Sequence, residues 1–203
     1  SYQWYSNTSN SNSGGTVISS NGTSATYTPV TSANGTKYYY CEVTKSGNGC
    51  DVATSDVASV TVDATSAGGS ISGGSTVCSG GGGTLTLSGH TGSVTKWQSD
   101  DNSGFSSPSD IVNTSTSYSP SSLTTTTYYR AVVTNGTCSA ANSSSATMTV
   151  VSDPSASQVT ASQTLCQDGT PTDLSLSVSN GTGSTSYQWY SNTSNSNSGG
   201  TVI

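Results

Sequence analysis

Cations are scarce in this 203-residue chain: 4 Lys and Arg stand against 10 Asp and Glu, for a formal net charge of −6. Four cations in an acidic chain cannot form the basic stripe that neutralises phosphates, so nucleic-acid binding is excluded. Histidine is nearly absent too. The one copy, His90, sits in an HTG turn and leaves no His-based triad. The run GGGG at 80–83 lacks the G-K-[ST] ending of a phosphate loop. Asp100 and Asp101 are adjacent, so they do not supply the separated carboxylate pair of a glycosidase. The expectation is a protein that is not an enzyme and uses no cofactor. Long apolar runs are missing as well, which excludes membrane insertion by a helix of roughly 20 apolar residues. Residue 1 opens directly on a strand-like SYQWY, so any export signal is expected outside this chain.

What is present is an abundance of Ser and Thr, with 23 Gly and only 30% hydrophobic residues. Such a composition approaches that of chains too polar to offset their conformational entropy. The patterning argues for folding nonetheless. Apolar residues alternate with Ser and Thr in DLSLSVS (Leu174, Leu176, Val178), TLTLS (Leu85, Leu87) and ASVTV (Ala58, Val60, Val62). Strict alternation of this kind marks half-buried strands. No segment carries the i, i+3, i+4, i+7 pattern of a helix, and the expected class is all-β.

Repetition is the strongest signal. SYQWYSNTSNSNSGGTVI at 1–18 recurs letter for letter at 186–203. A weaker repeat has half that period. Trp4, Trp97 and Trp189 are evenly spaced along the chain, and Cys50 is as far from Cys138 as Cys78 is from Cys166. ATYTP (25–29) answers TSYSP (116–120), and TKYYYCEVT (36–44) answers TTYYRAVVT (126–134). Two diverged modules of about 90 residues therefore alternate in a 185-residue super-repeat, each the size of one small β-sandwich. The chain reads as a window on a longer array.

The expected organisation is the C-terminal part of one module at 1–62, a linker at 63–69, a complete module at 70–151, a linker at 152–160 and the N-terminal part of the next module at 161–203. Within the complete module, strands are expected at 83–89, 94–99, 110–113, 114–119, 126–134 and 144–151, with a short leading strand near 70–72. HTGS, DNSG, SSPSD and NGT supply the turns between them.

The segments WYSNTSNSNSGGTVI, TYTP and GTKYYYCEVT with a later Cys, and TVCSGGGGTLTLSG followed by TTTYYRAVVTNGTC, resemble the Ig-like repeats of giant type IX-secreted surface proteins of Bacteroidota, adhesins and appendage filaments among them. The resemblance covers nearly the whole chain. It implies tandem Ig-like sandwiches, an extracellular cell-surface location and a role in reach or attachment.

In an extracellular chain five cysteines invite disulfides. Cys78 precedes the second strand of the complete module and Cys138 follows its last long strand, so this pair is expected to be bonded. Closing a loop of about 60 residues would add stability on the order of 4 kcal/mol. Cys50 and Cys166 are expected to pair with residues outside the chain, and Cys41 to be a buried free thiol. Trp4, Trp97, Trp189, Tyr39 and Tyr129 are expected in cores. Tyr5, Tyr38 and Tyr40 have the opposite parity and are candidate lateral contacts between chains. Asp100, Asp101 and Asn102 are weak candidates for calcium, since DDNSG lacks the downstream Glu of an EF-hand loop.

The functional expectation is a structural repeat segment of a long extracellular filament or adhesin stalk. Its partners would be other repeats of the same chain and neighbouring chains packed laterally in a filament. The competing expectation is a repeated module that binds a glycan or a protein on a cell surface.

Overall fold

The computed structural model describes residues 1–47 and 52–203, and among these there is no helix. Thr, Val and Tyr on alternating positions suit a pleated surface with one face buried, and the chain follows them. At the N-terminal end, β1 (Tyr2–Asn7), β2 (Thr16–Val17), β3 (Gly35–Thr44), β4 (Val52–Thr54) and β5 (Ala58–Val62) form one antiparallel sheet. β3 holds β1 along one edge, and β5 and β4 in succession along the other.

The central unit follows with β6 (Ser70–Ser72), β7 (Ser75–Cys78), β8 (Leu85–Ser88), β9 (Ser93–Asp100), β10 (Ser109–Ile111), β11 (Ser117–Tyr118), β12 (Thr127–Thr134), β13 (Ala141–Asn142) and β14 (Ala146–Val151). One sheet has the order β10-β9-β12-β14-β7, with β13 also on β12; the other is β11-β8-β6. They face each other as a β-sandwich. Leu85 and Leu87 of β8 meet Val94 and Trp97 of β9, Tyr129, Ala131 and Val133 of β12, and Ala146 and Met148 of β14. The leading strand serves both layers: β6 pairs antiparallel with β8, then β7 pairs parallel with β14. Gly73 and Gly74 make the crossing. Gly73 has φ +97°, and a Cβ there would run into the Thr84 carbonyl. β9 carries a bulge at Thr95, which puts Val94 and Trp97 on the same inner face despite their odd spacing.

Beyond this sandwich lie two small antiparallel pairs, β15 (Ser155–Gln158) with β16 (Leu176–Ser179), and β17 (Tyr190–Ser191) with β18 (Thr201–Val202).

The N-terminal sheet repeats several pairings and hydrogen bonds of the larger central sheet, without its bulge. Tyr39 lies opposite Ala58 as Tyr129 lies opposite Ala146. The Cys41 N–H donates to Ser55 Oγ at 2.9 Å, and the Ala131 N–H donates to Ser143 Oγ at 2.9 Å. Trp4 Nε1 donates to the Ser24 carbonyl, as Trp97 Nε1 does to that of Ser115. What the N-terminal sheet lacks, among the described residues, is a counterpart of β6, β7 and β8, while Tyr27 holds the place of Tyr118 of β11. The C-terminal pair β17–β18 in turn reproduces β1–β2: Gln188 Nε2 donates to the Trp189 and Ile203 carbonyls, as Gln3 Nε2 does to those of Trp4 and Ile18.

Candidate functional site

The central unit and the N-terminal sheet each carry a column of three rings. In the central unit Trp97, Tyr118 and Tyr129 follow one another with centroids 5.8 and 5.7 Å apart; at the N-terminal end Trp4, Tyr27 and Tyr39 do so at 6.0 and 5.7 Å. Tilted rings at these separations add to the stabilisation from burial alone. Burial raises the Tyr39 and Tyr129 phenols above their ordinary range. The three tryptophans differ in cover. Trp97 is 0% exposed, Trp4 is half-buried, and Trp189 is 42% exposed. For Trp189 the expectation of a core position fails in this chain, because no second layer of the described residues closes over β17 and β18.

Tyr40 departs from expectation in the opposite sense. Its parity predicts a contact surface, yet it is 2% exposed. Its ring stacks on Tyr5 at 5.0 Å and 4°, and the Gly15 N–H donates to its hydroxyl at 3.0 Å. The loop between β1 and β2 thus folds over it. That loop is held by Asn7, whose amide donates to the Ser11 and Ser13 carbonyls and whose oxygen accepts from Ser9. Asn192 organises the 192–200 loop in the same way. Tyr5 is half-buried and donates to Glu42 Oε2 at 2.8 Å, a bond that raises its pKa. Tyr38 is half-buried.

The DDNSG loop is organised by its own side chains. Asp100, 7% exposed, accepts the Asn102 N–H and the Ser107 N–H, each at 3.0 Å, and Asn102 Oδ1 accepts the Gly104 N–H at 2.8 Å. These backbone donors, Asn102 first, hold the Asp100 carboxyl below the usual carboxylate range. With both Asp100 oxygens and Asn102 Oδ1 so engaged, the geometry is that of a loop clamp. Asp101 is exposed beside it. Among the described residues no three His, Cys, Asp or Glu side chains converge on a point that could hold a metal. On the adjoining face of β9, Lys96 Nζ contacts Asp110 Oδ2 at 2.7 Å, and Gln98 links Asp110 to Arg130, whose guanidinium lies 4.3 Å over the Phe105 ring.

The expected Cys78–Cys138 disulfide is not formed; both thiols are free. Strand direction is the reason. Cys78 lies beside Val151 at the last residue of β14, whereas Cys138 lies in the hairpin before β13, at the end where β14 begins. The extended length of β14 separates those ends by roughly 17 Å, far beyond the Cα separation of about 7 Å that a disulfide tolerates. Cys41 is a buried free thiol at the position of Ala131, Cys166 is exposed and free, and Cys50 lies outside the described residues.

The hairpin that carries Cys138 grips the linker in front of the sandwich. Asp63 Oδ2 accepts from the Thr137 N–H at 2.9 Å and from its hydroxyl at 3.1 Å. Asn135 Nδ2 donates to the Ala64 carbonyl at 2.8 Å, and the Asn135 N–H donates to Ser66 Oγ at 2.9 Å. The Cys138 thiol itself lies 3.3 Å from the Ala64 carbonyl and 3.7 Å from that of Asp63. In sequence this hairpin is no more than an NGT turn, and nothing marks Asp63 as its partner. At the far end of the sandwich an open cleft of about 670 Å³ is lined by Cys78, Val151, Pro154, Leu176, Val178 and Trp189.

Residues 67–152, the central sandwich and its immediate flanks, match a family model described as a domain of unknown function, DUF8696. No curated protein matches the sequence.

Proposed function

We propose that the chain is a structural segment of a long, non-enzymatic extracellular filament or adhesin stalk, built from tandem Ig-like sandwiches in a 185-residue super-repeat. One observation carries this reading. The N-terminal sheet has the column Trp4, Tyr27, Tyr39 with, among the described residues, no counterpart of β6 and β8 over it, and the C-terminal end has Leu176, Val178 and Trp189 lining an open cleft. Leu85 and Leu87 of β8 supply the missing layer in the central unit. Leu176 and Val178 are their counterparts in the split module, since Ala156 lies opposite Val178 as Ile71 lies opposite Leu87.

In such an array each module would hold the next through a linker clamped as Asp63–Ser66 is, and function would follow from repetition: distance, stiffness and resistance to force. Few like charges oppose lateral packing of neighbouring chains, while Ser and Thr keep the surface hydrated. Export through a type IX route and a Bacteroidota source rest on the sequence resemblance. A repeated binding module is the rival reading, and the identical loops at 7–15 and 192–200 would give it avidity.

The test is a chain continued after Ile203 by residues 19–203 of the same sequence, which adds one period. A stalk predicts a rod longer by roughly 80 Å in small-angle scattering, from strands of about 3.3 Å per residue, and no retention on immobilised glycans. An unchanged maximum dimension, or glycan retention that rises with each added period, would overturn it.

A further inference from the structure

We infer that the module cysteines form disulfides across module junctions, the thiol at the end of β7 in one module pairing with the thiol of the β12–β13 hairpin in the next; this rests on the tandem-array reading. Two separate observations meet at one place. First, in the central sandwich Cys78 is the parallel neighbour of Val151, the last residue of β14, and it is an exposed residue that lines the cleft beyond. Second, at the junction in front of that sandwich the Cys138 thiol lies 3.7 Å from the Asp63 carbonyl.

Asp63 and Val151 are the same position of the repeat. The pairings Tyr39–Ala58 and Tyr129–Ala146 fix β5 on β14, so Val62 falls on Val150 and Asp63 on Val151. In the N-terminal module, the counterpart of Cys78 is a Cys166-type residue one period earlier, and it would lie beside Asp63. The hairpin thiol of the following module, Cys138, is already at Asp63. Neighbouring strands are about 4.8 Å apart, so the β7-type cysteine would lie one strand spacing from Asp63 while the Cys138 thiol touches its carbonyl, and the disulfide requires their Cα atoms to sit roughly 4.4 to 6.8 Å apart. By the same rule Cys78 faces the Cys50-type residue one period later. No complete pair falls inside residues 1–203, in keeping with Cys78, Cys138 and Cys166 all being free and with Cys78 and Cys138 lying at opposite ends of their own sandwich.

Each bond forms by exchange with a disulfide-bonded oxidase outside the cytoplasm. The two thiols give up two protons and two electrons, and the oxidase disulfide is reduced to a dithiol. The result is a covalent clamp beside every linker, so that tension at a junction is carried by the sulfur bridge as well as by the Asp63 and Asn135 contacts.

The one-period-extended chain, produced in an oxidising compartment, tests this by non-reducing peptide mapping with elastase. The expected links join a Cys78 peptide to a Cys50 peptide and a Cys166 peptide to a Cys138 peptide, leaving six of ten thiols titratable. Cys138→Ser in the second copy should free the Cys166 thiol and leave the other link in place. A Cys78–Cys138 link, or ten free thiols in a chain whose Trp189 fluorescence has shifted to the blue on burial, would overturn the inference while sparing the array. A Trp189 that stays exposed in the extended chain would overturn the array and the inference with it.

Discussion

Trp97 and Trp189 occupy the same position of the repeat and differ only in what covers them. Removing a fully buried large aromatic costs about 3–5 kcal/mol through lost transfer energy and the cavity left behind. Trp97→Ala is therefore expected to lower the urea midpoint of the central sandwich by that equivalent, while Trp189→Ala in the same chain changes it by less than about 0.5 kcal/mol, the range of surface substitutions. In the extended chain Trp189→Ala should come to resemble Trp97→Ala. A second expectation at this scale concerns acid. Asp100 has its carboxyl held low by the Asn102 and Ser107 amides. A depressed folded pKa gives stability that is present above the ordinary carboxylate value and lost as pH falls through the folded one. Thermal melts of the wild type should therefore fall between about pH 5 and pH 2 more steeply than those of Asp100→Asn, which loses this dependence. The three tryptophans were legible as one repeated position from their spacing, but their cover was not, since cover depends on a layer far away in sequence. Tyr40 misled for a related reason: parity puts it outward, and the Asn7-ordered loop that buries it leaves no periodic trace.

At the scale of elements, the apolar and aromatic runs announced β8, β9, β12 and β14 closely, because each turns one face to the core, although Ser and Thr mark the outer face only of β8 and β14. β7 left no such mark. It is short, only Val77 packs against the core, and its pairing with β14 joins segments far apart in sequence. Without β7, Cys78 has no fixed end of the sandwich, and a bond to Cys138 then looks reasonable. The switch into β7 depends on Gly73. Gly73→Ala places a Cβ against the Thr84 carbonyl in a backbone conformation that disfavours side chains, and should cost about 1–3 kcal/mol in equilibrium unfolding. Faster amide exchange should follow on β6 and β7 before the rest of the sheet. Equal exchange across all strands would mean the leading strand is not docked through this crossing. The bulge at Thr95 is a second feature that alternation conceals, as it brings Val94 and Trp97 to one face at odd spacing.

For the whole molecule, the duplication of 1–18 at 186–203 and the shared pairings of the N-terminal and central sheets point the same way. The fold class was readable from alternation and the modular period from Trp and Cys spacings, because both are local or repeated features. Which end of the sandwich carries each cysteine was not, since it depends on strand direction in three dimensions. The most direct test of the central claim is the intact reduced mass of the natural protein released from its source. The array predicts one chain many times heavier than 20.3 kDa whose peptides contain residues 186–203 running on into residue 19 of the next period. A single species of 20.3 kDa would contradict it and make residues 1–203 a subunit in its own right.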